Sequence, residues 1–134
     1  MKQTVTILFS LLISLGNSFG TTPQPATELF AEVEKSLKTG DVDTLSDWFS
    51  DNLDIEILND SNISSKNQAK QILKRFFAKY TPKNFNFIHK SGSDRVEYGI
   101  GTLIAGGESF RITIFIQKVD KKQSISQIRI EKSR

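Results

Sequence analysis

The sequence predicts an α+β domain in which helices pack against one face of a curved antiparallel sheet. In the first half of the chain, apolar residues recur with the 3.6-residue spacing of helices. After Pro82 they alternate with a period of two, as in strands. Gly99 and Gly101 share one face of a predicted strand, which indicates strong bending or the close approach of a neighbouring group. A bent sheet can wrap around a helix.

The segment from Ser65 to Tyr80 is predicted to be the central helix. Its apolar residues form one helical stripe: Ala69, Ile72, Leu73, Phe76, Phe77 and Tyr80. Ser65 and Gln68 have the spacing of a capping box, and Thr81-Pro82 ends the helix. The lysines of this segment are expected on its solvated side.

Two shorter helices are predicted before it. A stripe at helical spacing comprises Ala26, Leu29, Phe30, Val33 and Leu37, and Gly40 closes this helix at its C′ position. Asp41 or Asp43 is expected to cap a second helix, with Val42, Leu45, Trp48 and Phe49 on one face. The polar residues 50–52 are expected to end it.

Alternation then predicts a short strand and a four-strand meander. Leu53, Ile55 and Ile57 form the first strand, a turn is expected at 59–62, and Ile63-Ser64 form a brief second strand. The meander is read from four alternating sets, which begin at Phe85, Val96, Phe110 and Ile128. Its second set contains Val96, Tyr98, Ile100, Thr102 and Ile104. Ile125 breaks the parity of Ile128, which indicates a β-bulge or a strand start.

The first twenty residues have the pattern of an export signal. Lys2 provides the charge, Val5 to Leu15 the apolar region, and Ser18 and Gly20 the small residues before a cleavage point. The predicted organisation is a signal peptide over residues 1–20, an extended lead-in over 21–26 and a single domain over 27–134. The alternative is an uncleaved membrane anchor, but the apolar run is too short to span a bilayer. We therefore expect a periplasmic or secreted protein, with no stable membrane span after cleavage near Gly20.

Composition excludes several functional classes. The chain has no cysteine, so it forms no disulfide, thiolate metal site or cysteine nucleophile. Its formal charge of +3 comes from basic residues spread along the chain, which does not indicate nucleic-acid binding. His89 is the single histidine, and we expect neither a metal site nor a cofactor.

Few residues are candidates for chemistry. Asp54 and Glu56 share one face of their strand, but alternation with Leu53 and Ile55 already explains them as a solvated outer face. His89 has the strand parity of Phe85 and Phe87 and so could point inward, although it stands near the strand end. We predict no catalytic residue. The candidate lining of a ligand pocket is Trp48, Phe77, His89 and Tyr98.

The order of elements resembles the nuclear-transport-factor-2-like fold, a cone in which a curved sheet encloses helices. Gly40-Asp41, Leu45, Phe49 and the Leu53 strand resemble its usual second-helix passage. The distal half is similar to a family of short exported bacterial proteins of unknown function, and the residues that carry this likeness are Phe77, Phe87, His89, Gly92, 98–101, Leu103, Gly107, Phe110, Arg111 and 127–131. The resemblance covers the predicted mature chain and implies a fold and an exported location, without an activity.

Three hypotheses follow. The first is an exported, non-enzymatic module that binds a small apolar or amphipathic ligand, or a protein partner. The second is a cone-fold enzyme of the isomerase or dehydratase kind, which needs an acid or His89 inside the cavity. The third is a structural protein of the cell envelope that forms a homodimer through the open sheet face, at Arg111, Phe115 and Val119.

Overall fold

The computed structural model describes residues 25–133, and the predicted signal peptide lies outside them. Three helices and six strands follow one another as α1 Pro25–Thr39, α2 Val42–Ser46, β1 Phe49–Ile57, β2 Asp60–Ser65, α3 Lys66–Lys79, β3 Pro82–Gly92, β4 Val96–Ala105, β5 Glu108–Val119 and β6 Lys122–Lys132. The predicted α+β class with its curved sheet is confirmed. Among the described residues, no helix is long and apolar enough to cross a membrane.

The six strands form one sheet in the order β2-β1-β6-β5-β4-β3. All neighbouring strands are antiparallel except β1 and β6, which run parallel. The predicted meander is antiparallel throughout, and the parallel pairing of β1 with β6 is an addition that the sequence did not indicate. Parallel pairing requires a long crossover, and the chain between β1 and β6 supplies one through α3 and the meander. This order leaves β2 and β3 as the two edges.

The helices cover one face of the sheet. α1 packs on β3 and β4, α3 packs on β1 and β2, and α2 contacts both of these helices. Between the layers lies a continuous core of side chains, which includes Leu29, Val33, Leu53, Leu73, Phe85, Phe110, Ile112 and Ile128. The interior is therefore filled by hydrocarbon and aromatic groups. Among residues 29–133 the buried polar ones are three serines: Ser36, Ser46 and Ser64.

The ends of the helices agree with their predicted signals. At the start of α3 the Ser65 hydroxyl accepts from the Gln68 amide at 3.2 Å, and the Gln68 side chain accepts from the Ser65 amide at 3.2 Å. Gly40 ends α1 with a φ of +72°, and Asp41 caps α2. All three short-range predictions are confirmed, because each of these ends satisfies backbone groups that a helix terminus exposes.

The region between α2 and β2 differs from its prediction. Residues 50–52 do not end a helix; they belong to β1, because α2 stops at Ser46. The turn after β1 consists of Leu58 and Asn59, with φ of +51° and +76°, values that suit a two-residue hairpin. Strand β2 therefore spans six residues and not two. Because the turn has only two residues, residues 60–62 are part of β2 and pair with β1.

The buried face of β4 is the reverse of the predicted one. Gly99, Gly101, Leu103 and Ala105 face the core, whereas the predicted set from Val96 to Ile104 lies on the outer face. The reason is steric, because aromatic rings fill the space that a side chain would need at Gly99 and Gly101. A Cβ at Gly99 would lie 2.7 Å from the Phe87 ring and 2.9 Å from the Phe30 ring. The predicted close approach to these glycines is thus confirmed.

Two β-bulges decide which way the neighbouring side chains point. Phe115 pairs with Gln127 and Ile116 with Ile125, so Ser126 is the extra residue, and the bulge indicated by Ile125 is confirmed. In β3 the register shifts between Phe87 and His89, which leaves Ile88 as the extra residue. This second bulge turns His89 to the outer face, where it pairs with Ile100. An inward orientation of His89 is therefore wrong, because parity does not carry across a bulge.

Candidate functional site

The four residues predicted to line a pocket do not meet in one place. Phe77 is buried in the core, with its ring 5.3 Å from that of Phe76. Trp48 is half-buried against the same core. His89 and Tyr98 lie together on the outer face, with the Tyr98 hydroxyl 3.4 Å from Nε2 of His89. None of the four lines the large groove described below.

The outer face also carries the two predicted carboxylates. Asp54 pairs across the sheet with Gln127 and Ile63. Glu56 lies beside Arg129, with 3.4 Å between a carboxylate oxygen and Nε. Both carboxylates are therefore on the uncovered side of the sheet, as alternation predicted. Among residues 25–133 no cluster of histidine and acidic residues has the arrangement of a metal site.

A prominent open groove of about 890 Å³ lies between α3 and the β1–β2 hairpin. We call it the helix–hairpin groove. Its apolar lining comprises Ile57, Leu58, Ile63, Ile72, Phe76 and Tyr80. Phe76 is part of the core, and all the others except Ile63 pack against it. The groove therefore has a fixed apolar floor.

The local sequence explains how this floor is exposed. The apolar stripe of α3 is wide, so that Leu73 and Phe77 point into the core while Ile72 and Tyr80 lie at its margin and stay half-buried. The Tyr80 ring packs on Phe110, with 4.9 Å between the ring centroids. Ile72 and Tyr80 are thus held in position by the core and still contribute surface to the groove.

The rim of the groove is polar and carries a small positive charge. Asn62, Asn67, Gln68 and Gln71 place side-chain amides along it. Arg75 and Lys79 are exposed cations of the rim, and Asp60 is its acidic residue. The Lys79 ammonium lies 5.4 Å from the centre of the Tyr80 ring. An apolar floor with convergent polar groups is typical of sites that bind amphipathic molecules.

Other charges on α3 are engaged away from the groove. Lys70 and Lys74 each place Nζ 3.0 Å from one carboxylate oxygen of Asp43 at the start of α2. Their hydrogen bonds lower the pKa of Asp43 from its usual value. The two hydrogen bonds that Thr44 donates to Asp41 likewise lower the pKa of that cap. The contacts of Asp43 join α2 to α3, whereas those of Asp41 cap α2.

Comparison with known families gives the affiliation of the chain. Residues 30–131 match a family described as "Domain of unknown function (DUF4783)". The chain belongs to the DUF4783 family. This confirms the expected membership of a family of unknown function with a nuclear-transport-factor-2-like fold. No curated protein matches the chain.

Solved structures of DUF4783 proteins are similar along most of the described chain. One from Bacteroides uniformis is 31% identical, covers 78% of this chain and 96% of its own, and has a TM-score of 0.74. One from Bacteroides fragilis is 30% identical, covers 76% and 96%, and has a TM-score of 0.72. A protein of unknown function from Shewanella baltica, described as NTF2-like, is 10% identical over 81% of this chain and 90% of its own, with a TM-score of 0.61, and shares the fold alone.

The sequence contained a partial signal for the groove. Ile72 and Tyr80 belong to the apolar stripe of the central helix, and Ile57 is the last apolar residue of its strand. Their joint exposure depends on the position of β2 at the sheet edge. Strand order is a long-range property, so spacing along the chain could not place these three residues around one cavity.

Proposed function

We propose that the protein is an exported, non-enzymatic module that binds an amphipathic molecule or protein segment in the helix–hairpin groove. The observation that carries the proposal is the contrast between this open groove of about 890 Å³ and the interior, which is filled by side chains. A ligand enclosed by the sheet would have to displace core residues such as Phe85 and Phe110. A ligand in the groove displaces solvent only.

The chemistry of the groove supports binding more than catalysis. Its rim consists mainly of amides and of Arg75 and Lys79, which position and attract polar groups. Asp54, Glu56 and His89 lie on the other face of the sheet, away from the groove. A cone-fold enzyme would instead hold such a group in an apolar cavity that shifts its pKa. The export part of the proposal rests on the pattern of residues 1–20.

Anilinonaphthalene sulfonate is a suitable first probe, because it combines an apolar ring system with one negative charge. We expect enhanced fluorescence and amide NMR shifts concentrated at Ile57, Ile72 and Tyr80. Arg75→Glu should weaken binding several-fold, since it reverses a rim cation. Lys35→Glu is the matched control: it makes the same charge change at an exposed site on α1. Shifts at the outer sheet face, with the groove unaffected, would contradict the proposal.

Assembly through the outer sheet face is a second candidate function. It is favoured by the stacking of Tyr98 on Phe115, with ring centroids 5.6 Å apart on a face that no described helix covers. Val119, the last residue of β5, is 52% exposed. Sedimentation of the purified protein tests this candidate. A dimer that Phe115→Lys converts to a monomer would support it, and a wild-type monomer at high concentration would exclude it.

A further inference from the structure

The two edges of the sheet differ in how they are protected. Natural edge strands are usually interrupted by proline, lysine or bulges, which prevent another chain from pairing with them. Strand β3 has all three features: it begins at Pro82, it contains Lys83 and Lys90, and its register shifts at Lys83 and at Ile88. Pairing along this edge would meet a break at both shifts.

Strand β2 has none of these features. It contains neither proline nor lysine, and its register with β1 is continuous from Asp60 to Ser65. Every residue of β2 except Ser64 is exposed, and Ile63 is 74% exposed. Among residues 25–133 no strand pairs with its outer edge. At about 3.3 Å per residue, this edge offers roughly 20 Å of strand for pairing.

The open edge and the helix–hairpin groove are adjacent. Asp60, Asn62, Ile63 and Ser64 of β2 line the groove on one side, and α3 lines it on the other. An extended segment laid along β2 would make main-chain hydrogen bonds to the strand. Its alternate side chains would point toward the groove, since side chains in a strand project with a period of two.

We infer that β2 is the docking strand for an extended, acidic segment of a protein partner, which joins the sheet as a seventh strand and fills the groove. This inference rests on the proposed function and specifies the class of ligand. The apolar floor accepts alternate aliphatic or aromatic side chains, and Arg75 and Lys79 attract carboxylates. The acidic character follows from these rim cations, which outnumber Asp60.

A second copy of this chain fits the same edge less well. Antiparallel pairing of β2 with itself places a two-fold axis perpendicular to the sheet, so that both α3 helices lie on one side. The rims of the two grooves would then face each other, and Arg75 and Lys79 of one copy would lie near the same cations of the other copy. Like-charge contacts oppose association, which favours an acidic partner segment over self-pairing.

The test begins with peptides selected from a random phage-displayed library against the purified protein. We expect the enriched sequences to alternate apolar with polar or acidic residues. Bound as synthetic peptides, they should slow hydrogen exchange at amides of β2. N-methylation of alternate peptide amides should weaken binding at least tenfold, because it removes main-chain donors and keeps every side chain.

Two matched variants locate the site. Ile63→Glu places a negative charge on the β2 edge, on the same side of the sheet as its cross-strand neighbour Asp54. By charge repulsion it should weaken binding of the acidic peptide at least tenfold. Ile88→Glu makes the same change at a residue that is 68% exposed on the β3 edge, and it should leave binding unchanged. Both sites are exposed, so neither variant should unfold the protein, and thermal melts verify this.

The outcomes separate this inference from the function on which it rests. If N-methylated peptides bind as well as the parents, the groove binds side chains and strand addition is wrong. If no peptide is enriched but anilinonaphthalene sulfonate binds in the groove, the proposed function stands and the peptide inference fails. If neither binds, both fail. If the protein forms a dimer and Ile63→Glu dissociates it, the occupant of the β2 edge is a second copy of this chain, and the inference of a partner segment is wrong.

Discussion

The ring of Phe85 lies directly against the backbone of Gly101 in the neighbouring strand, where it occupies the position that a Cβ at Gly101 would take. Phe85 is fully buried, so it has little room to move. We expect Gly101→Ala to destabilise the fold by about 1–3 kcal/mol, the usual cost of overpacking a core. Urea unfolding followed by circular dichroism measures the loss.

A compensating substitution provides the control. Phe85→Leu removes part of the ring that meets the new methyl group, so it should cost less in the Gly101→Ala background than in the wild type. Residues in direct contact show such non-additivity. Strictly additive losses would mean that the two positions do not meet, and the packing described for β3 and β4 would be wrong.

Phe76→Ala should destabilise the protein by about 3–5 kcal/mol, the typical cost of truncating a buried phenylalanine. Phe76 is 6% exposed, and its ring is about equally close to the rings of Phe77, Tyr80 and Phe110, with centroid distances of 5.3, 5.0 and 5.2 Å. Lys74→Ala on the exposed side of α3 is the control and should change stability by no more than about 0.5 kcal/mol. Equal urea midpoints for the two variants would contradict the central role of α3.

The contact of Asp43 with Lys70 and Lys74 should make stability depend on pH. Their hydrogen bonds lower the pKa of Asp43 in the folded state below its ordinary value of 3.8. The ionised form therefore stabilises the fold above that value, and this contribution disappears as the pH falls through the lowered pKa. Asp43→Asn should be slightly less stable than the wild type at neutral pH, and the difference should vanish at strongly acidic pH.

Because the Asp43 side chain is exposed, the dependence of stability on salt provides an independent check. Raising the ionic strength at neutral pH should also reduce the difference between the wild type and Asp43→Asn. A difference that persisted at acidic pH and in high salt would show that the substitution acts through the geometry of α2 and not through charge.

The export signal proposed for residues 1–20 predicts the mass of the mature protein. Processing near Gly20 should yield a chain that begins at or near Thr21. Intact-mass measurement on protein recovered from the cell envelope or the medium gives the result directly. A full-length mass in the membrane fraction would contradict cleavage and would support a retained anchor.

Local features of the fold could be predicted because their causes lie within a few residues. The capping box of Ser65 and Gln68 and the inward set of β5 are of this kind. The face of β4 could not be predicted by alternation alone, since both faces carry apolar residues. One face of β4 carries two isoleucines, Ile100 and Ile104, and the other carries Leu103. Alternation therefore favours the isoleucine face as the buried one. The aromatic rings packed against Gly99 and Gly101 instead place the glycine face in the core.

The orientation of His89 and the position of the groove could not be predicted from the sequence, for related reasons. The set Phe85, Phe87 and His89 has unbroken parity in the sequence, and nothing near Ile88 signals an inserted residue. The groove exists because β2 is an edge strand. Strand β2 is at the edge because the other side of its neighbour β1 pairs with β6, which is distant in the sequence. The spacing of apolar residues therefore indicated the helices and strands, whereas the long-range pairing of strands decided which of their surfaces are exposed.

The asymmetry between the two edges limits how this chain can polymerise. An indefinite filament built by strand pairing needs two receptive edges in every subunit, one for each neighbour. Here the β3 edge is interrupted at Lys83 and Ile88, so a chain joined through β2 presents no second receptive edge. Growth by this route stops at a pair, so the chain is protected from forming fibrils through its own sheet even though one of its edge strands is exposed.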